Sequence, residues 1–257
     1  KMSNNKDWFT DFLHFRALED LQNMAINFQR LKQTEQRLLW LSHWMIHHAN
    51  HIRVSDDGIK TGGHQASSAS MVSMLTALYF SALKPEDRVA VKPHAAPIFH
   101  AMQYLAGNLD VERMKKFRGY GGVQSYPSRT KDVDDVDFST GSVGLGVAIT
   151  SFASLIQDYI SHKKWGKDLQ LGRMVALMGD AKLDEGNIYE CLQEGWKHNL
   201  QNVWWIIDYN RQSLDGIIHE GLWERAEKIF EAFGWQVVRV KYGRLQHAAF
   251  AEPGGDK

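Results

Sequence analysis

The stretch that most constrains the fold of this chain runs from residue 174 to residue 210. A short apolar run at 174–178 leads into an acidic turn, a helical pattern at about 188–198 and a second apolar run at 203–207. Two buried strands joined by a helix make a βαβ unit, whose strands lie parallel. The sequence therefore predicts an α/β fold with a doubly wound, mainly parallel sheet flanked by helices.

Each of these two predicted strands is followed by a polar side chain. Asp180 comes after the first strand and Asn210 after the second. The carboxyl edge of such a sheet, beside a helix amino terminus, is where phosphorylated ligands bind. A carboxylate and an amide oxygen suit Mg²⁺, which completes its octahedron with phosphate oxygens and water. The pattern indicates a diphosphate ligand carried on a divalent metal.

This arrangement resembles the thiamine diphosphate signature of the transketolase and 2-oxo acid dehydrogenase superfamily, in which Gly-Asp begins and Asn ends a stretch of about this length. Other segments follow the order and spacing of that family, and together they cover roughly residues 35–243. They are Gly-Gly-His at 62–64, Pro-His at 93–94, Ser-Tyr-Pro at 125–127 and Ser-Thr-Gly-Ser-Val-Gly-Leu-Gly at 139–146.

Within the superfamily, residues 210–216 are most similar to the homodimeric first component of the pyruvate dehydrogenase complex. Transketolases usually have an aliphatic residue in place of Gln212 and a Gly-Pro-Leu-Gly-Gln-Gly loop in place of residues 141–146. Asp208 favours the other branch, because transketolases have Asp there and the pyruvate dehydrogenase branch often has Asn. We favour the pyruvate dehydrogenase branch and keep the transketolase branch as the alternative.

The resemblance also implies roles for individual residues. Asp180 and Asn210 would give side-chain oxygens to Mg²⁺, and Gln212 its backbone carbonyl. His64 and His94 match family histidines near the thiazolium ring and are the candidate catalytic residues, since an imidazole can donate a hydrogen bond and move a proton near neutral pH. The candidate cofactor-binding residues are Gly141, Val143, Gly144, Gly179, Asp180, Tyr126 and Asp208.

Taken singly, these residues have ordinary explanations. An Asp after a strand is a common helix N-cap, most histidines are structural or lie on the surface, and a glycine-rich turn often begins a helix. The aspartates at 132–137 lack the Gly and Glu positions of a calcium loop, so a solvated loop is preferred there. The shared family spacing is what favours the site.

The chain is expected to comprise a helical segment at 1–55 and a diphosphate- and Mg²⁺-binding α/β domain at 56–257. Within the domain we predict a long helix at 66–82, a helix at 142–161 that is apolar nearly all round and therefore buried, and a strand at 235–240. The pyrimidine-binding and carboxy-terminal domains of the family are not visible, so the chain would be a fragment or one subunit of a split enzyme.

The expected function is that of a thiamine diphosphate- and Mg²⁺-dependent enzyme that decarboxylates a 2-oxo acid, with pyruvate as first choice, and passes the acyl group to a lipoyl carrier. The alternatives are transketolase-like transfer of two-carbon units between sugar phosphates and a non-catalytic α/β module. Because the family glutamate that activates the cofactor belongs to the pyrimidine-binding domain, this chain alone is expected to be inactive. The apolar pattern of 143–156 predicts a homodimer, or a complementary subunit as partner.

Composition narrows the remaining classes of function. Thirty basic and thirty acidic residues cancel, which argues against nucleic acid as a partner. Cys191 has no second cysteine with which to form a disulfide, and the most apolar stretch is too short to span a bilayer. No secretory signal is expected from the first residues, so the sequence predicts a cytoplasmic protein without a membrane segment.

Overall fold

A computed structural model describes residues 27–54, 58–166, 170–210, 212–213, 216–217, 221–241 and 243–255. The chain divides into two compact units, Lys1–Ile217 and Ile218–Lys257. The first unit holds the sheet and the elements around it, and the second holds two helices. The expected division between residues 55 and 56 stays a prediction, and the helix expected before residue 27 lies outside the described residues.

The helices of the first unit are α1 (Phe28–His47), α2 (Gln65–Ala69), α3 (Val72–Ala77), α4 (Ala96–Leu105), α5 (Val111–Lys115), α6 (Leu145–His162) and α7 (Gly186–Lys197). Its strands are β1 (Arg88–Ala90), β2 (Met174–Gly179), β3 (Val203–Asp208), β4 (Gln212–Ser213) and β5 (Gly216–Ile217). The second unit contributes α8 (Leu222–Ala232) and α9 (Arg244–Ala251).

Three parallel strands in the order β1-β2-β3 form the central sheet. The chain leaves β2 through a 3₁₀ turn at Asp180–Asp184, passes along α7 and returns as β3. The predicted βαβ unit is therefore confirmed, and with it the α/β fold. A separate pair, β4 and β5, is antiparallel and follows β3.

The two faces of the sheet carry side chains of different size. Val89 and its register partner Val175 belong to the main hydrophobic core, which includes Leu38 of α1 and Phe99 of α4. The alternating positions on the other face are Ala90 and Ala176, since successive side chains of a strand point to opposite sides. A Cβ on Gly146 of α6 would lie 3.4 Å from the Ala90 Cβ. Small residues thus let α6 pack closely on this face.

Helix α6 differs from the prediction that it is buried all round. Its buried face is mostly small or polar, and it consists of Val147, Thr150, Ser151, Ser154 and Gln157. Its opposite face is apolar and exposed, with the helical spacing of Leu145, Ile149, Phe152, Ile156 and Tyr159. The reason is the close contact with the alanines of the sheet, which leaves no room for large side chains on the inner face.

The loop at 119–137 has no helix or strand, as predicted, but only one of its four aspartates, Asp135, is exposed. Asp134 is buried against His100 of α4, whose Nδ1 lies 2.6 Å from the Asp134 carboxylate. His100 Nε2 lies 2.7 Å from the Gln124 carbonyl oxygen, and Asp132 accepts hydrogen bonds from two loop amides. The loop is therefore fixed to α4 by buried polar contacts.

Two further predicted elements differ in detail. The helix expected at 66–82 is interrupted at Ser70 and Met71, and its last turn, Leu78–Ala82, is π-helical. The strand expected at 235–240 is absent from the described structure there. A strand needs a hydrogen-bonded neighbour as well as alternating side chains, and these residues have none in the described part of the chain. Instead Trp235 packs edge-on against Phe230 of α8.

Among the described residues, no helix combines the length and the apolar character that crossing a membrane requires.

Candidate functional site

The carboxyl edge of the sheet brings the predicted metal ligands to neighbouring positions. Gly179, the last residue of β2, is the register partner of Asp208, the last residue of β3. Asp180 follows Gly179 directly, and Asn210 lies two residues after Asp208, so both residues follow the same edge of the sheet. Strand β4, which begins at Gln212, lies beside the 3₁₀ turn that Asp180 begins.

Asp180 is enclosed in the turn that follows β2. Its side chain is only 1% exposed, and its Oδ1 accepts a hydrogen bond of 3.1 Å from the amide of Ala181. Ala181 stands where the family usually has a second glycine. It lies in the 3₁₀ turn and is not among the described residues with positive φ, so the alanine fits this backbone without strain.

Asp208 is the centre of a polar cluster at the tips of the strands. Its Oδ2 accepts hydrogen bonds from Ser70 Oγ at 2.6 Å and from Lys92 Nζ at 2.7 Å. Asn210 Nδ2 lies 3.4 Å from the same oxygen, and the Asn210 amide donates to the Asp208 carbonyl at 3.1 Å. Asp208 and Lys92 are both buried. This carboxylate therefore holds Asn210 and Lys92 in place.

The donor set at this edge fits a hard divalent cation. Asp180 supplies a buried carboxylate, and Asn210 lies against Asp208 through its amide nitrogen and carries a side-chain oxygen of the kind that a metal accepts. The backbone of Gln212 is paired with Ile217 in the β4–β5 ribbon. Oxygen donors of these kinds are the ligands that Mg²⁺ takes in proteins, usually together with phosphate oxygens.

The rings of the two candidate catalytic histidines lie close together, tilted by 54° to one another. His64 precedes α2 and His94 lies in the 3₁₀ turn after β1, and their ring centroids are 4.8 Å apart. Burial, together with repulsion from His64 and Lys92, lowers the pKa of His94 to about 4. Arg118 and Lys182 act in the same direction. At neutral pH the His94 ring is therefore uncharged and can accept or pass on a proton.

We expect nuclear magnetic resonance titration of the imidazole protons to give a pKa near 4 for His94, and substitution His64→Phe to raise this pKa, because a repelling neighbour is removed.

Since the pKa of His94 is depressed in the folded state, the unfolded chain takes up this proton first as pH falls from about 6.5 to about 4. Stability should fall across that window. His162→Phe, on the exposed end of α6, is the control and should leave the His94 pKa unchanged. A wild-type pKa near 6.5 would contradict the environment described for His94.

The glycine-rich segment before α6 contains a strained turn. Val143 has φ 53° and Gly144 has φ 71°, and a positive φ is unfavourable for a β-branched residue. Asn187, at the start of α7, donates from Nδ2 to the Val143 carbonyl at 2.6 Å. A Cβ on Gly144 would collide with Asn187 Oδ1, and the positive φ of this residue favours glycine as well. Asn187 thus ties this turn to the helix that follows the Asp180 turn.

Gly141 and Tyr126 lie in the same region of the chain. A Cβ on Gly141 would meet Leu145 at 2.9 Å. Tyr126 is 46% exposed, and its neighbour Pro127 accepts a hydrogen bond from the Thr140 amide through its carbonyl. The segment with Tyr126 therefore runs beside the glycine-rich segment. No described contact joins Tyr126 to the cluster around Asp208, and its role in cofactor binding stays a prediction.

Sequence reasoning missed several residues of this region. Lys92 lies two residues after the end of β1, and a polar residue just beyond a strand was a usable signal. Ser70 and Asn187 gave no signal, because each acts through a neighbour that is distant in the sequence, Asp208 and Val143 respectively. The structure groups the sites into the cluster at the strand tips, the histidine pair and the glycine-rich segment.

Comparisons with known proteins indicate the family of the chain. Residues 49–251 match the family model described as transketolase, thiamine diphosphate binding domain. The pyruvate dehydrogenase E1 component of Mycolicibacterium smegmatis is 28% identical over 218 residues, covering 80% of this chain and 23% of that protein. A transketolase of Staphylococcus aureus is 28% identical over 152 residues, covering 58% of this chain and 23% of that protein.

A solved structure shows the same fold. The crystal structure of transketolase from Campylobacter jejuni superposes with a TM-score of 0.67 and 26% identity, over 81% of this chain and 33% of that one. The chain spans about a quarter of the length of the curated relatives that it matches. With a family model covering most of its length, this chain belongs to the transketolase family through its thiamine diphosphate-binding domain.

Proposed function

We propose that the chain is the diphosphate-binding part of a thiamine diphosphate- and Mg²⁺-dependent enzyme that decarboxylates a 2-oxo acid, with pyruvate as first choice, and passes the acyl group to a lipoyl carrier. The observation that carries the proposal is the pairing of Gly179 with Asp208 at the tips of two parallel strands, because Asp180 and Asn210 follow those two residues. Oxygen ligands placed there fit a metal-bound diphosphate.

In this proposal, Asp180, Asn210 and the Gln212 carbonyl hold the metal. Gly179 offers no side chain at the edge, so the backbone can approach a phosphate group closely. Asp208 keeps Asn210 in position through its carboxylate and its carbonyl. When bound, the cofactor supplies a nucleophilic thiazolium carbon and an electron sink.

The histidine pair supports an anionic, proton-exchanging substrate. His94 is uncharged at neutral pH, because its pKa is lowered to about 4 by burial and by the cations near it. An uncharged imidazole can donate one hydrogen bond and accept another, so His64 and His94 would orient a substrate carboxylate or move a proton. Arg118 and Lys182 contribute positive charge on the same side. A 2-oxo acid carries the matching negative charge.

The partner in this proposal is a second copy of the chain within the complete enzyme. The exposed apolar face of α6, which includes Phe152 at 50% and Ile156 at 56% exposure, supports it. Large apolar residues in a row on an otherwise packed helix are typical of an interface. Light scattering on the complete protein should give twice the mass of one chain, and a monomer would contradict the assignment. A complementary subunit is the other candidate partner, and a cytoplasmic location is part of the proposal.

The substrate is tested on the complete enzyme. We expect release of CO₂ from pyruvate that depends on thiamine diphosphate and Mg²⁺, and no measurable release by the present chain alone. The second assay measures two-carbon transfer from xylulose phosphate. Activity on xylulose phosphate without activity on pyruvate would replace the proposal by the transketolase alternative.

One specific observation favours that alternative. Asp208, rather than Asn, ends β3 and forms the ion pair with Lys92, and Asp is the residue that transketolases have at this position. The decarboxylase remains first because the segment 210–216 is most similar to the pyruvate dehydrogenase branch. A non-catalytic module is a third possibility, and cofactor binding by the chain tests it.

A further inference from the structure

Lys92 lies at the tips of the strands with its charge enclosed. It follows β1 and precedes the 3₁₀ turn of His94, and it is only 7% exposed. Its Nζ lies 2.7 Å from Asp208 Oδ2, at the end of β3. The same Nζ lies 3.8 Å from the position that a Cβ on Gly179 would occupy. The ammonium group therefore lies beside the ends of both β2 and β3.

The ion pair with Asp208 does not satisfy the ammonium group. A lysine ammonium has three N–H donors and no acceptor. Among the described residues, Asp208 is the one acceptor of a hydrogen bond from Lys92 Nζ. Asp208 Oδ2 is shared in turn with Ser70 and Asn210. Because a buried charge is costly unless its hydrogen bonds are made, the remaining donors of Lys92 call for another acceptor.

The charge around Lys92 indicates what that acceptor is. Lys92, Arg118 and Lys182 all lie near enough to His94 to repel its proton. Lys182 forms an ion pair with Glu185 at 3.8 Å. Lys92 is paired with the Asp208 carboxylate, which also accepts hydrogen bonds from other donors. Asp180 is buried at the same edge. The Asp180 carboxylate suits a metal ion, and the remaining N–H donors of Lys92 suit an anion. Together they match a ligand in which a metal cation is bound to an anion.

We propose that Lys92 binds the ligand directly, by donating hydrogen bonds from Nζ to a phosphate oxygen of a metal-bound diphosphate, while Asp208 and Ser70 hold the ammonium group in place. The proposal rests on the proposed function for the identity of the anion. It adds a positively charged ligand-binding residue to a site whose other predicted ligands act through the metal or the backbone.

The test is calorimetry of the purified chain with inorganic diphosphate in the presence of Mg²⁺. Lys92→Met should weaken diphosphate binding by about 10- to 100-fold, the loss expected for a hydrogen bond to a charged group. The matched control is Lys197→Met, which removes a lysine paired with Glu194 at the same 2.7 Å distance on the exposed surface of α7. That variant should bind diphosphate as the wild type does.

Removal of Lys92 leaves Asp208 without its cation, so a second variant protects the test against misfolding. The double substitution Lys92→Met with Asp208→Asn removes both charges together and should lose diphosphate affinity to a similar extent, while thermal unfolding monitors the fold. If the wild type binds diphosphate and both Lys92 variants bind within about threefold of it, Lys92 has a structural role only and the inference is wrong. An equal loss in the Lys197 variant would also overturn it. Failure of the wild type to bind diphosphate with Mg²⁺ would overturn the proposed function, and this inference with it.

Discussion

Substitution Asp180→Ala is expected to abolish the Mg²⁺-dependent part of thiamine diphosphate binding. Asp180 is the buried carboxylate that begins the turn after β2, at the strand edge where Gly179 pairs with Asp208, and it is the main anionic ligand of the proposed metal site. Removing a residue that hydrogen-bonds to a metal ligand already lowers metal affinity by about 10- to 100-fold, so removing the ligand itself should lower it by about 100-fold or more. Calorimetry with and without Mg²⁺ measures the effect.

The matched control for this experiment is Asp184→Ala. Asp184 belongs to the same 3₁₀ turn and carries the same charge, but it is exposed. Its removal should leave the affinity for thiamine diphosphate unchanged, and both variants should unfold at nearly the same temperature as the wild type. Equal losses in the two variants would mean that general electrostatics, and not metal ligation by Asp180, supports binding. Complete absence of Mg²⁺ dependence in the wild type would favour the non-catalytic module.

The largest loss of stability is expected for Asp87→Ala, at the opposite edge of the sheet. The Asp87 side chain is 1% exposed and precedes β1. It accepts hydrogen bonds from the Arg173 amide at 2.7 Å, from Arg173 Nε at 3.0 Å and from the Lys84 amide at 2.8 Å. Removing one partner of a buried ion pair costs about 3–5 kcal/mol. Urea unfolding at pH 7 should show this decrease in the free energy of unfolding. The control is Glu112→Ala, which removes one partner of an exposed ion pair and should change the free energy of unfolding by about 0.5 kcal/mol or less.

The pH dependence of this effect has a definite sign. Burial would raise the pKa of Asp87, but the hydrogen bonds from Arg173 and Lys84 outweigh burial and hold the pKa below its usual 3.8. A depressed folded-state pKa adds stability above the unfolded pKa, and this stability is lost as pH falls through the folded pKa. The difference between wild type and Asp87→Ala should therefore shrink below about pH 4. A difference that stays constant down to pH 2 would contradict the ion pair as its source.

The sequence was sufficient for the βαβ unit, because apolar runs, a polar turn and a helical pattern are local signals. It was insufficient for α6, where the pattern alone could not say which apolar side chains face the sheet. The small residues Ala90 and Ala176 decide that orientation, and they lie on other elements. The strand expected at 235–240 failed for a related reason, since pairing depends on a neighbour that the local sequence does not specify.

In the candidate site, too, the residues with a local sequence signal could be predicted and those that depend on distant contacts could not. Residues at strand tips, such as Asp180 and Asn210, could be placed from the sequence because the ends of neighbouring parallel strands must meet. The cluster around Asp208 could not, since Ser70 reaches it from the turn between α2 and α3, 138 positions away in the sequence. Lys92 lies 116 positions from Asp208, and their ion pair likewise becomes visible only in three dimensions.

We propose that one metal ion joins the tips of β2 and β3 to a diphosphate. The most direct measurement is anomalous diffraction from crystals of the chain grown with Mn²⁺ and thiamine diphosphate, since Mn²⁺ accepts the same oxygen ligands as Mg²⁺. We predict a single peak bound by the Asp180 carboxylate and the Asn210 amide oxygen at about 2.1 Å, in contact with phosphate oxygens. A metal bound elsewhere, or side chains at 180 and 210 too far apart to share an ion, would contradict the claim.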